Sequence, residues 1–139
     1  MRKNKFSKNW IIKQKRDIYV KKSKLEGYRS RAVYKLQEIN DKFKIIKNNI
    51  LVIDLGAAPG SWSQYISRNF SNSKIISIDL KDIEPIKNLV HIKGDFTEEH
   101  QKKNIKNYFG KKVDLIVSDM AVNTTGNKSV DSCKRCVAE

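Results

Sequence analysis

The chain has 139 residues, with 29 Lys and Arg against 15 Asp and Glu, a formal charge of +14 and an isoelectric point near 9.8. That length suits one domain with a real core, two cysteines exclude a disulfide framework, and no apolar stretch approaches the ~20 residues that span a bilayer. The opening MRKNKFSKNWIIKQKRD lacks the long apolar core and small-residue cleavage site of a secretory leader, so a cytoplasmic protein is expected.

Charge is concentrated at the start. Residues 1–35 hold thirteen Lys and Arg and two acids, Asp17 and Glu26, an excess of eleven out of the chain's fourteen. An AT-rich genome inflates Lys everywhere and would not gather it in one quarter of a chain. The local excess favours a polyanion partner, nucleic acid above all. Within it, KNWIIKQKRDIYVKK (8–22) has loosely helical spacing, and Trp10 and Tyr19 suit either stacking on RNA bases or packing on the body. In RSRAVYKLQEINDKF (29–43), Val33, Leu36, Ile39 and Phe43 predict one apolar helix face, with Ser30 as N-cap and Lys35 off that face.

The period then changes. NILVIDLG (49–56), KIISIDL (74–80), LVHIKGDF (89–96) and KVDLIVSDM (112–120) are short Ile/Val-rich runs, each ending near an Asp, as parallel strands covered on both faces require. Helix-length segments, Ser61–Phe70 and Thr97–Phe109, separate them; Lys81–Asn88, with Pro85, reads as a short turn or helix. There is no evident internal repeat. The alternation predicts an α/β fold with a doubly wound parallel sheet.

Ligands of such sheets bind beyond the carboxyl ends of the strands. Four acids are expected there: Asp54, Asp79, Asp95 and Asp119. One alone would read as a cap or turn residue; four beside a glycine turn point to a site. That turn, GAAPG (56–60), is neither G-x-G-x-x-G nor G-x-x-x-x-G-K-[ST]. Pro59 removes an amide donor and stiffens it, which suits phosphates poorly and disfavours a dinucleotide oxidoreductase. Gly56 and Gly60 permit close backbone approach. Asp79, 23 residues after Gly56, suits ribose hydroxyls, and Asp95 suits a base. A nucleoside ligand without phosphates fits, and S-adenosyl-L-methionine is one.

GYRSRAVYKLQEI (27–39), VIDLGAAPGSWSQY (52–65), IDL (78–80), GDF (94–96) and SDMAVN (118–123) resemble the FtsJ-type ribosomal RNA ribose 2′-O-methyltransferases, in order from about residue 8 to about residue 131. More narrowly they are similar to the bacterial enzymes acting on a uridine of large-subunit ribosomal RNA. The resemblance implies a Rossmann-like methyltransferase fold of strand order 3-2-1-4-5-7-6, S-adenosyl-L-methionine as cofactor, ribosomal RNA in the large subunit as partner, and no metal. It implies cofactor contacts at Gly60, Trp62, Asp79, Asp95 and Asp119, and a catalytic set of two lysines, an aspartate and a glutamate. Lys35 matches the first lysine and Asp119 the aspartate. The second lysine, the family's general base, and the glutamate lie on later strands that these residues do not reach. Two facing lysines can depress a lysine pKa; Lys35 alone lacks that coupling. Val122 stands where the family has proline, and Ser61 where it has a second glycine.

The expected organisation is a basic RNA-binding segment (1–35) running into the first helix, a cofactor-binding α/β part (36–131) ending after the fourth strand, and a divergent tail (132–139). The tail reads as the mark of a truncated or frameshifted product. Its Cys133 and Cys136 are half a zinc site with no second pair, and His91 and His100 match no ligand spacing. A monomer is expected, although a fourth-strand edge of Val113, Leu115, Ile116 and Val117 invites aggregation or pairing. Two functions compete: a methyltransferase acting on ribosomal RNA, and a catalytically impaired RNA- or ribosome-binding remnant that keeps the basic arm.

Overall fold

The computed structural model describes residues 5–120, with side chains from residue 7 onward. Val122, Cys133, Cys136 and the 132–139 tail lie outside the described residues. The elements run α1 (Lys5–Leu25), α2 (Val33–Phe43), β1 (Leu51–Leu55), α3 (Ser61–Asn69), β2 (Lys74–Asp79), β3 (Leu89–Lys93), α4 (Glu99–Phe109) and β4 (Leu115–Ser118). The four strands are parallel and lie side by side as β3-β2-β1-β4, the first four places of the expected order.

The two central Ile/Val runs, β1 and β2, are covered from both sides, while Val90 of β3 and Ile116 of β4 stay exposed at the edges. Val52, Ile75 and Val117 pack with Val33 and Leu36 of α2 and with Trp62 and Ile66 of α3. On the opposite face Ile53, Ile76 and Ile78 pack with Ile105 of α4. Burying one such side chain contributes about 1.5–3 kcal/mol, and three in β2 (Ile75, Ile76 and Ile78) are essentially inaccessible. Register places Leu55 opposite both Ile78 and Ser118. The carboxyl ends of β1, β2 and β4 therefore finish level, which builds the floor of the site.

Several expectations need correction. The buried face of α2 is Val33, Tyr34, Leu36 and Asn40, while Ile39 and Phe43 are exposed. Asn40 joins the buried face with its polar group satisfied, its Oδ1 accepting the Ile46 amide at 2.9 Å. Ser30 is not the N-cap. The amides of Val33, Tyr34 and Lys35 are taken by the carbonyls of Ser30, Arg31 and Ala32, and the Ser30 hydroxyl donates to Ser61 Oγ at 2.8 Å. The Lys81–Asn88 link, expected as a short turn or helix, has a turn at Lys87–Asn88 and no helix. Finally, α1 is longer than the 8–22 segment and Trp10 is 60% exposed, so it does not pack on the body. Tyr19 does, its ring 5.4 Å from that of Tyr34. No helix among the described residues is long and apolar enough to cross a membrane.

Candidate functional site

The GAAPG turn rises from β1 and is tied to the end of β2. The Gly56 and Ala57 amides both donate to Ile78 O, at 2.8 and 3.2 Å, and the Ala58 amide donates to Asp79 Oδ2 at 3.0 Å. Every donor between Gly56 and Ala58 is thus spent inside the protein, and Pro59 has none. From Gly56 to Pro59 the turn has no amide left for a phosphate. Gly56 has φ +66°, and any side chain on it would strike Met120. The Ala58–Pro59 peptide is cis, and Gly60, at φ +104°, precedes the first turn of α3.

Two recesses adjoin at Gly56. The smaller, about 60 Å³, is walled by Ser30, Asp54, Ala57, Ser61, Trp62 and Asp119. The larger, about 270 Å³, is walled by Ile78, Asp79, Leu80, Asp95, Phe96 and Met120. Of the residues expected to meet a cofactor, Trp62 and Asp119 line the first and Asp79 and Asp95 the second. Gly60 lines neither. Among the described residues, bigger hollows lie elsewhere, one of about 520 Å³ at the amino ends of the strands, beside Asn49, Lys74 and Tyr108, and another of about 490 Å³ between β4 and α4. Volume does not pick out the site; the convergence of acids at the strand ends does.

The acids differ in their surroundings. Asp79 accepts the Ala58 amide on Oδ2 and the Lys81 amide on Oδ1 at 2.8 Å. It is held still, and each oxygen keeps a lone pair for a further donor. Asp95 is pushed below the ordinary carboxylate range by the Thr97 hydroxyl (2.6 Å) and the Thr97 amide (2.9 Å). Asp54 is different. Burial removes its water and pushes it up to about 7, against the pull of the Ser63 hydroxyl and amide; the charges of Asp119 and Asp79 push the same way as burial. Ser63 Oγ donates to Asp54 Oδ2 at 2.6 Å.

Lys35 crosses from α2 to Asp119, with Nζ 2.9 Å from Oδ1. Both side chains meet solvent, and exposed pairs of this kind add little stability. The pair places an ammonium beside the mouth of the smaller recess. Trp62 forms a wall whose indole N–H is already spent on Ala32 O at 2.7 Å. Among the described residues no group of His, Cys, Asp and Glu could hold a metal.

A profile of FtsJ-like methyltransferases matches residues 28–138. The chain belongs to the FtsJ-like methyltransferase family. It is 61% identical over 132 residues to the ribosomal RNA large subunit methyltransferase E of Pelagibacter ubique, covering 95% of this chain and 65% of that protein. The protein of the same name from Rickettsia akari is 49% identical over 131 residues, covering 90% and 58%. Among solved structures, one of a Plasmodium falciparum protein described as a ribosomal RNA methyltransferase superposes with a TM-score of 0.66 at 39% identity, over 78% of this chain and 65% of that one. The chain therefore spans less than two thirds of the length of these relatives. The FtsJ-like match contains Lys35, the turn and all four acids, and α1 precedes it.

Some wall residues escaped the sequence reading. Met120, next to Asp119, and Phe96, next to Asp95, follow strand-end acids, and that adjacency was the available signal.

Proposed function

We propose that the chain holds S-adenosyl-L-methionine at the two recesses and serves 2′-O-methylation of a uridine ribose in large-subunit ribosomal RNA. The observation that carries this reading is the 2.9 Å Lys35–Asp119 contact beside the mouth of a recess whose neighbour is rimmed by the fixed carboxylate of Asp79. The donor chemistry fits the cofactor. Asp79 offers two acceptor oxygens to a diol, Ile78, Leu80, Phe96 and Met120 offer apolar walls to a flat base, and Asp54 and Asp119 suit an ammonium. The turn's spent amides suit a ligand without phosphates.

When bound, the cofactor supplies an electrophilic methyl group. The chain's own residues have the remaining work of binding and orientation, the larger part of such a reaction when the donor is already activated. Lys35, anchored by Asp119, can donate to the incoming hydroxyl oxygen and fix its approach. The family resemblance gives removal of the hydroxyl proton to a second lysine, on strands later than those described. Residues 1–35 form the RNA-tracking arm in this reading, and 36–131 the cofactor-binding part.

Calorimetry with S-adenosylhomocysteine tests the cofactor half: binding is expected, and its loss in Asp79→Ala. No binding by the wild-type chain would refute it. Methylation of undermodified large subunits tests the rest. A rate near that of a full-length relative would overturn the need for a second lysine. RNA binding without methyl transfer would favour the alternative, a non-catalytic RNA- or ribosome-binding role.

A further inference from the structure

The link between β2 and β3 has no helix, yet side chains from three directions hold its carbonyls. Ser67 Oγ donates to Lys87 O at 2.9 Å, and His91 Nε2 lies 2.9 Å from Lys81 O. Arg29 binds the middle: Nη1 donates to Glu84 O at 2.8 Å and to Pro59 O at 3.1 Å, and Nη2 to Pro85 O at 3.1 Å. One planar cation thereby joins the GAAPG turn to the link that begins directly after Asp79. Arg29 is itself seated, since its amide donates to Gln64 Oε1 at 3.0 Å and Gln64 Nε2 donates to Gly27 O at 2.9 Å. A Cβ on Gly60 would lie 2.9 Å from Nη1, so the guanidinium closes on Pro59 only because residue 60 is glycine.

We propose that Arg29 is a positioning residue of the cofactor pocket, clamping turn and link into one wall so that Asp79 and the Ala58 amide keep their spacing. This rests on reading the two recesses as the cofactor site. Arg29 lines neither recess, so it acts on a ligand only through that wall. Its fork matters, because one lysine ammonium lacks the planar, fixed donors that reach three carbonyls at once.

The test compares wild type, Arg29→Ala and Arg29→Lys by two measurements. The first is amide hydrogen exchange without ligand. Arg29→Ala should speed exchange in residues 56–60 and 82–88 while Ile75–Ile78 stay protected, which separates a local release from failure to fold. The second is calorimetry with S-adenosylhomocysteine: Arg29→Ala should bind about tenfold more weakly, because the wall must be ordered again when ligand binds, and Arg29→Lys should fall between. Unchanged exchange in both segments, or wild-type affinity in Arg29→Ala, overturns the proposal. If wild type itself fails to bind, the cofactor reading falls and the positioning role with it, while the exchange result still shows whether Arg29 clamps the wall.

Discussion

Asp54 and Asp119 belong to neighbouring strands with opposite access to water. Asp54 is 2% exposed, and its burial is the main reason its carboxyl is pushed up to about 7 from 3.8. The sign for stability follows from linkage. Below about pH 4 the group is protonated whether the chain is folded or not, and it contributes no pH dependence. Between about pH 4 and 7 the unfolded chain has released the proton while the folded one keeps it, so this residue makes stability fall as pH rises. The slope approaches about 1.4 kcal/mol per pH unit from one such group. Denaturant titrations from pH 4 to 8 should show that the difference between wild type and Asp54→Asn changes with this slope and levels off above pH 7. A difference constant with pH would mean that Asp54 is already ionised in the fold. Lys35 calls for the opposite kind of test, since its exposed pair adds little to stability. In a chimera carrying the portion of the Pelagibacter ubique relative that this chain does not match, Lys35→Ala should reduce methyl transfer by roughly 10²-fold or more. Affinity for S-adenosylhomocysteine should stay within about twofold. Equal losses in both would remove Lys35 from the reaction and leave it a binding role.

At the scale of elements, β4 carries the most exposed apolar surface of the sheet. It is one of the two edge strands among the described residues, Ile116 is 53% exposed, and the hollow of about 490 Å³ beside it is walled by Ile53, Leu55, Ile105 and Val113. An open apolar edge favours association with another chain. Sedimentation over rising concentration should show self-association that Ile116→Lys suppresses, with no change in secondary structure by circular dichroism. Wild-type chain that stays monomeric at high concentration would show that the edge is already covered. The strands were the legible part of the fold, because a parallel sheet buried on both faces demands continuous Ile/Val runs, and the strand-end acids marked its functional end. The boundary of α2 was not legible, since backbone carbonyls rather than the Ser30 side chain satisfy its first amides. Arg29 was invisible for the same reason. Its acceptors are carbonyls 30, 55 and 56 residues away, and a carbonyl carries no residue signature. Asp54 lies one residue before the end of β1, near the strand end as expected, but its burial and its partner Ser63, nine residues later, carry no sequence signature.

For the molecule as a whole, charge and pocket lie on different parts joined by a short connection. The segment 26–32 is fastened to α3 by Arg68 donating to Glu26 O and Gly27 O, and by Trp62 donating to Ala32 O. The arm is therefore anchored to the helix that follows the GAAPG turn. Along α1, Lys8, Lys15 and Lys22 recur every seven residues, which on a helix is one side at intervals of about 10.5 Å. Lys22 is partly engaged, 3.9 Å from Glu26 and 4.7 Å from the centre of the Tyr34 ring. Lys8 and Lys15 are exposed and have no ion pair among the described residues. If the arm tracks a phosphate backbone, each contact releases counterions and adds roughly 0.7–0.9 to the salt slope of binding. Lys8→Ala combined with Lys15→Ala should lower the slope of log affinity against log salt by about 1.5, and should do so equally for unrelated RNA sequences, since phosphates carry no sequence information. Affinity for S-adenosylhomocysteine should not move. An unchanged slope would place the RNA elsewhere on the protein, and a loss confined to one RNA sequence would make these lysines readers of bases rather than of backbone.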